Sequence, residues 1–195
     1  MVSHGPWLQA LVRHGVAASA EHLRALGALR INTVVDVGAN VGQFSLLARR
    51  LYPAARIVAF EPLPTSAATF KRVFAGDDRV VLHSCAVGKE RGIATMHISA
   101  ALDSSSLLPI GSAQVRHFPQ TAEAGTALVQ VQRLDDVLNE DDLLDTALLK
   151  LDVQGFELPA LEGCERLVHR FAYVYFECSF VELYDGQALI DEILH

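Results

Sequence analysis

The feature that most constrains the fold is a series of short, β-branched and apolar runs that each end in a carboxylate. Runs of this kind are typical of parallel strands, which are buried on both faces. A carboxylate is expensive to bury without a partner, so its recurrence at strand ends indicates a polar ligand at one rim of a sheet. The acids that end four of the five predicted core strands are Asp36, Glu61, Asp152 and Glu177.

Segments with helical spacing lie between these strands. The alternation predicts an α/β fold with a doubly wound, Rossmann-like and mostly parallel sheet. Weaker strand patterns occur at 94–98 and 128–132, and the polar stretch 103–125 between them predicts a long loop or lid, a type of segment that is often functional. The predicted core strands cover 33–38, 56–61, 80–87, 147–152 and 173–177, and the main helices cover 43–52, 65–75 and 158–167.

The length of 195 residues predicts a single domain. Residues 1–30 are expected to form an N-terminal helical segment, and residues 31–195 are expected to form the domain that carries the site. No run is apolar over the length needed to cross a bilayer, and the N-terminus shows no basic region followed by an apolar one, so neither a membrane span nor a signal peptide is expected. The three cysteines form no C-x-x-C motif, which favours free thiols in a reducing, cytoplasmic compartment.

The net charge of the chain narrows the range of partners. The excess of acidic over basic residues gives a formal charge of −7. This charge disfavours non-specific binding to nucleic acids or anionic membranes. The eight histidines form no metal-ligand pattern such as H-E-x-x-H. A nucleic acid is therefore not expected as the partner, which leaves a small molecule or a glycan.

The turn after the first strand indicates a ligand that approaches the backbone. Gly38 and Gly42 allow positive φ or close contact there, and the turn leads directly into a helix. The dinucleotide fingerprint G-x-G-x-x-G would need glycine where Asn40 and Gln43 stand, which weakens the case for NAD. The turn by itself is moderately specific.

Glu61, at the end of the second strand, can accept hydrogen bonds from both ribose hydroxyls of an adenosine. This geometry serves NAD and S-adenosylmethionine equally. Three functions therefore stay open: a methyltransferase, an NAD-type oxidoreductase, and a non-catalytic α/β binding module. The missing glycines count against the second, and acids at four strand ends count against the third.

Longer motifs carry a resemblance to a known family. Together they resemble the FkbM family of S-adenosylmethionine-dependent methyltransferases over about residues 31–195. That family is similar in fold to class I methyltransferases, and its described members mostly methylate hydroxyl oxygens of sugars or natural products. The matching segments are 35–44, Phe60-Glu61-Pro62, 104–109, 133–137, 149–157, 177–180 and 183–187.

The resemblance implies S-adenosylmethionine as the cofactor. The first turn is then expected along the methionine and ribose of the cofactor, Glu61 at the ribose, and Ser84 with Cys85 beside the adenine. The residues predicted to form the cofactor site are Asp36, Gly38, Asn40, Gly42, Glu61, Pro62, Ser84 and Cys85.

Three residues are predicted to be catalytic: Asp152, Lys150 and Glu177. Asp152 is expected beside the transferred methyl group, as a base or as an orienter of the acceptor. Lys150 shares a strand face with Asp152 and either pairs with it or acts as a base. Glu177 and Glu157 are expected to bind acceptor hydroxyls or a divalent cation, and Ser105 to contact the substrate. A metal is not expected, although two or three carboxylates can hold magnesium.

Two departures from the family pattern stand out. The family usually has Glu where this chain has Gln154, so any role of that acid is lost here. The family pattern also continues beyond a helix like 187–194 into a β-hairpin, whereas this chain stops at His195. The antiparallel edge strands are therefore expected to be missing. An unfinished edge favours pairing with another chain, so a homo-oligomer is left open.

Overall fold

The computed structural model describes residues 5–195, and it describes side chains from residue 7 onward. A five-stranded, fully parallel sheet lies at its centre, with the strand order β3-β2-β1-β7-β8. The order reverses between β1 and β7, which confirms the predicted doubly wound, Rossmann-like α/β fold. The strands of this sheet, numbered along the whole chain, are β1 Thr33–Val37, β2 Arg56–Phe60, β3 Val80–His83, β7 Ala147–Leu151 and β8 Phe171–Phe176.

The helices are short and surround the sheet. The N-terminal helical segment predicted for 1–30 is interrupted, because its first helix ends at His14, before Gly15, whose φ is 69°. Residues 1–4, which belong to the predicted segment 1–30 and to the signal-peptide prediction, lie outside the described residues. The helices are α1 Gly5–His14, α2 Leu23–Leu26, α3 Gln43–Leu51, α4 Pro64–Val73, α5 Ser112–His117, α6 Leu134–Val137, α7 Glu157–Glu162 and α8 Ile190–Ile193. In the part of the chain that is described, none of them is long and apolar enough to cross a membrane.

Both faces of the central sheet are covered at its three middle strands, as expected of a parallel sheet, whereas the edge strands β3 and β8 are partly exposed. Side chains alternate along each strand, so neighbouring residues join different cores. Val34 packs with the α3 side chains Phe44 and Leu47, whereas Val35 packs with Leu134 and Leu167 on the opposite face. Burying a side chain of this size stabilises the fold by roughly 1.5–3 kcal/mol.

A second, three-stranded sheet adjoins the first. It contains β4 Ala86–Val87, β5 Gly92–Ser99 and β6 Glu123–Gln132, in the order β4-β6-β5. The prediction of one strand over 80–87 was wrong, because β3 pairs with β2 whereas β4 pairs with β6 in the other sheet. The predicted loop 103–125 contains α5 and the beginning of β6. Residues 100–122, which connect β5 to β6, are called the cap segment below.

At its other side the central sheet ends with β8. Within residues 5–195, no antiparallel strand follows β8, and α8 is the last element. The N-terminal segment packs against α3, where Trp7 Nε1 donates to the Leu46 carbonyl oxygen at 3.0 Å. The predicted division of the chain at residue 30 stays a prediction.

Gly38 should be far less tolerant of alanine than another glycine with the same kind of backbone. A Cβ at Gly38 would lie 1.9 Å from the Asp152 carbonyl oxygen, and its φ is +76°. At Gly76 the φ is +87°, but no atom lies within 4 Å of an added Cβ. We expect Gly76→Ala to lower the free energy of unfolding by about 1 kcal/mol. Gly38→Ala should lower it by about 1–3 kcal/mol more, because the backbone at Asp152 must move to make room for the new methyl group. Urea denaturation measures both, and equal losses would contradict the role of this contact.

Candidate active site

The carboxyl ends of the central strands bring the four predicted acids to one rim of the sheet. Asp36 lies within β1, and the other three acids follow β2, β7 and β8. Ligands of such sheets bind where the strand order reverses. Three cavities open at this rim. Two of them lie beside the reversal between β1 and β7, and the third lies along β7 and β8, where Lys150, Asp152 and Glu177 line it.

The first cavity lies between the turn after β1 and the second sheet. Five of the predicted cofactor residues line it, and Ser105, predicted for the substrate, lines it as well. Its open volume is about 60 Å³, and part of its wall comes from the cap segment, with Leu102, Asp103, Ser105 and Leu107. The five cofactor residues in the wall are Gly38, Asn40, Glu61, Pro62 and Cys85.

Three other predicted cofactor residues do not line this cavity. Asp36 is fully buried and accepts a hydrogen bond from Ser45 Oγ at 2.6 Å. At Gly42, an added Cβ would meet the rings of Phe74 and Phe70. Ser84 is exposed to solvent. Contact of these three residues with a cofactor stays a prediction.

Glu61 is held in the wall of the first cavity by two backbone donors. Its Oε2 accepts from the Asn40 N–H at 2.9 Å, and its Oε1 accepts from the Leu63 N–H at 2.7 Å. Burial raises the pKa of Glu61 to about 7, against these hydrogen bonds and the Lys150 ammonium, which lower it. The carboxylate keeps further lone pairs, so it can accept hydrogen bonds from ligand hydroxyls.

Lys150 is buried behind the rim, where it neutralises Asp36. The two residues are register partners on β7 and β1, and Lys150 Nζ lies 3.1 Å from Asp36 Oδ1. Nζ also donates to the carbonyl oxygens of Val37 and Gly38, at 3.3 and 3.0 Å. Burial by itself lowers the pKa of Lys150, but Asp36 and Asp152 outweigh it and the pKa is raised. This geometry favours the ion pair over the base, the two alternatives for Lys150.

Asp152 and Glu177 form a coupled carboxylate pair. Nε2 of Gln154 donates to Asp152 Oδ1 at 2.7 Å and to Glu177 Oε2 at 3.1 Å. Burial acts to raise the pKa of Asp152, but Lys150, at 3.6 Å, and Gln154 outweigh it and the pKa is lowered. For Glu177, burial and the Asp152 charge raise the pKa to about 7. The two carboxyl groups are therefore coupled, and Glu177 is the one that titrates near neutral pH, whereas Asp152 keeps its charge.

Gln154 organises this pair and was missed as a functional residue. Its φ is +56°, a region that non-glycine residues rarely occupy. Ser106 Oγ donates to its carbonyl oxygen at 2.7 Å, and the Tyr184 hydroxyl donates to its Oε1 at 2.8 Å. The sequence contained a signal for this residue, since the family usually has Glu where this chain has Gln154. Only the contacts show the consequence, which is that an amide N–H donor stands where the family has a carboxylate.

The second cavity has a volume of about 590 Å³ and lies between the rim and the cap segment. Glu177 and Glu157 line it, together with Tyr184 and Gln114, which the sequence analysis did not single out. Glu157 is almost fully buried, and its Oε1 accepts from the Val153 and Gly155 N–H groups. Burial raises its pKa.

Three residues line both cavities: Asp103, Asp152 and Gln154. The two cavities therefore adjoin one another at these three residues. Asp103 belongs to the polar stretch predicted as a lid, whose irregular pattern gave no orientation for individual side chains.

The described residues contain no group of three or more His, Cys, Asp or Glu side chains that could hold a metal ion. Metal dependence therefore stays a matter for experiment. Cys85 and Cys164 are buried free thiols, and burial raises the pKa of each. Neither has the lowered pKa of a reactive cysteine.

Comparison with known proteins identifies the family. The model of the methyltransferase FkbM domain matches residues 36–195. The chain belongs to the FkbM methyltransferase family. The match includes both cavities and every predicted site residue, and it agrees with the resemblance found in the motifs.

Curated relatives of this FkbM-family chain include enzymes from fungi and bacteria. Methyltransferase 1 of Beauveria bassiana is 32% identical over 68% of the chain and 58% of its own length. The 2-O-methyltransferase NoeI of Sinorhizobium fredii is 28% identical over 83% of the chain and 69% of its own length. The 31-O-demethyl-FK506 methyltransferase FkbM of Streptomyces tacrolimicus is 32% identical over 69% and 60%. The chain thus spans less than two thirds of the first and third of these relatives.

Proposed function

We propose that this chain transfers a methyl group from S-adenosylmethionine to a hydroxyl oxygen of a sugar or natural product. The observation that carries the proposal is the meeting of two cavities at Asp152 and Gln154. A group-transfer enzyme needs its donor and acceptor held in contact, and positioning of this kind can supply roughly 7–11 kcal/mol of the barrier reduction. The relatives named as O-methyltransferases support a hydroxyl acceptor.

The first cavity fits the cofactor in its chemistry. When bound, S-adenosylmethionine supplies an electrophilic methyl group on a sulfonium. Glu61 offers carboxylate oxygens to ribose hydroxyls, while the Asn40 and Leu63 N–H groups keep that carboxylate in place. Leu63, Met96 and Phe156 give the same cavity an apolar wall suited to a nucleobase.

The acceptor is assigned to the second cavity, where the carboxylate pair activates it. Asp152, ionised beside Lys150, accepts a hydrogen bond from the acceptor hydroxyl and so orients its oxygen. Glu177, with a pKa of about 7, takes up the proton that the hydroxyl releases. Gln154 holds both carboxylates in place through one amide group.

Isothermal titration of the full chain with S-adenosylhomocysteine, with NAD as the control, tests the proposal. We expect saturable binding of S-adenosylhomocysteine and none of NAD. Binding of NAD alone would instead support an oxidoreductase. A folded chain that binds neither compound would overturn the assignment of the first cavity.

The affinity for S-adenosylhomocysteine should rise with pH. Ribose hydroxyls donate hydrogen bonds, so they favour the ionised form of Glu61, whose pKa is about 7 in the free protein. Affinity is then expected to fall by up to about tenfold for each pH unit below 7 and to level off above it. Glu61→Gln should abolish the dependence. Because Glu177 also titrates near pH 7, Glu177→Gln is the matched control and should retain it.

A further inference from the structure

In the part of the chain that the structure describes, the side chains that line the second cavity include acids but no bases. The four acids are Asp103, Asp152, Glu157 and Glu177, of which Asp152 lies beside Lys150 and Glu177 has a pKa of about 7. Among the described residues that line it there is no Lys, Arg or His. Like charges repel strongly where water is partly excluded. An acceptor with a phosphate or carboxylate would therefore be disfavoured in this cavity.

Gln114 lines the same cavity and has an unsatisfied side-chain oxygen. It lies on α5 in the cap segment, and only 5% of the residue is exposed. Its Oε1 is buried and has no hydrogen-bond partner among residues 5–195. Buried side-chain oxygens are nearly always paired, and an unpaired one costs the desolvation of that group. A donor supplied by a ligand in the cavity would remove this cost.

Gln187, on the opposite side of the cavity, provides a contrast. It is also buried, at 8% exposure. Its Oε1, however, accepts from the Leu183 N–H at 3.0 Å and the Tyr184 N–H at 3.3 Å. The two glutamines therefore share residue type, cavity and burial, but the amide oxygen of Gln187 is satisfied by the protein itself. The unpaired oxygen is particular to Gln114.

We propose that Gln114 is a specificity-determining residue whose amide oxygen accepts a hydrogen bond from the acceptor, in a cavity that selects against acceptors with negative charge. The inference rests on the proposed function, because it takes the second cavity as the acceptor site. It adds a residue from the cap segment to the recognition of the acceptor. It also fixes the chemical class of the group that Gln114 meets, which is an O–H or N–H donor.

The first experiment compares Gln114→Met with Gln187→Met in thermal unfolding of the full chain. Methionine keeps the length of the side chain and removes both polar atoms of the amide. Gln114→Met should melt at the same temperature as the unaltered chain or higher, because no bond within the protein is lost. Gln187→Met should melt at a lower temperature, because two backbone donors lose their acceptor. A lower melting temperature for Gln114→Met would assign Gln114 a structural role and overturn the proposal.

The second experiment uses three sugars with the same ring and different charge: glucose, glucosamine and glucuronate. Each is added at the same concentrations to the chain saturated with S-adenosylhomocysteine, and the side-chain amide signals are followed by NMR. The Gln114 signal is identified by its absence in Gln114→Met. We expect glucose and glucosamine to shift it and glucuronate to leave it unchanged. Gln114→Met should bind glucose about tenfold more weakly.

The outcomes separate this inference from the proposed function. Failure of S-adenosylhomocysteine to bind would overturn the proposed function itself. If it binds but none of the sugars shifts the Gln114 signal, the inference alone fails. Equal binding of glucuronate and glucose would also overturn the inference, because the acidic wall would then not select against negative charge.

Discussion

Replacing Asp152 with asparagine is expected to lower the rate of methyl transfer by about 10²–10⁴-fold, because the acceptor hydroxyl loses its orienting charge and the proton acceptor Glu177 loses its charged neighbour. The substitution removes the charge that orients the acceptor hydroxyl. The burial of Glu177, together with this same charge, holds the pKa of Glu177 near 7. The asparagine oxygen can still accept from Gln154. Affinity for S-adenosylhomocysteine should therefore stay close to that of the unaltered chain.

Asp145→Asn is the matched control for this variant. Asp145 is exposed and precedes β7, whereas Asp152 follows it, so the two acids mark opposite ends of one strand. Initial rates of S-adenosylhomocysteine formation, with titration calorimetry of the same samples, give both quantities. Near-normal turnover by Asp152→Asn would contradict the role of Asp152 in orienting the acceptor.

Replacing Lys150 with methionine should destabilise the fold by about 3–5 kcal/mol, because it leaves the fully buried Asp36 without a counter-charge. That loss is a large part of the stability of an ordinary domain, about 5–15 kcal/mol. Urea denaturation measures it. If Lys150→Met proves as stable as the unaltered chain, the ion pair with Asp36 is contradicted.

The double variant Asp36→Asn, Lys150→Met decides between the two roles left open for Lys150. Removing both charges should restore much of the lost stability, since asparagine can still accept from Ser45. This variant also remains measurable if Lys150→Met fails to fold. Lys150 also helps to keep Asp152 ionised, so an ion-pair role predicts a loss of turnover that shrinks to about tenfold at most as the pH is raised. A loss of about 10²–10⁴-fold that persists at high pH in the folded double variant would identify Lys150 as the base.

The central sheet and its rim could be predicted because their signals are local. β-Branched runs, strand-end acids and the glycines of the first turn each occupy a few consecutive residues. The division of 80–87 into β3 and β4 could not be predicted in the same way. Both parts have strand character, and only pairing with β2 or with β6 assigns them to different sheets.

The acidic side chains of the candidate site could be predicted from the sequence, but its two functional amide side chains could not. Gln154 entered the sequence analysis only as the loss of an acid, yet its amide joins Asp152 to Glu177. Gln114 lies in a polar stretch without a clear period, so nothing in the sequence shows that its side chain is buried beside a cavity. Orientation in such a segment depends on what it packs against.

The sequence by itself determined the parallel α/β architecture, the family and the set of carboxylates at one rim, because strand period, turn residues and motif order are properties of neighbouring residues. Only the tertiary structure decided what each carboxylate does. Asp36 is neutralised inside the protein by Lys150, whereas Asp152 stands between two cavities. The physical reason is that burial and charge pairing depend on residues more than a hundred positions apart in the chain, such as Asp36 and Lys150.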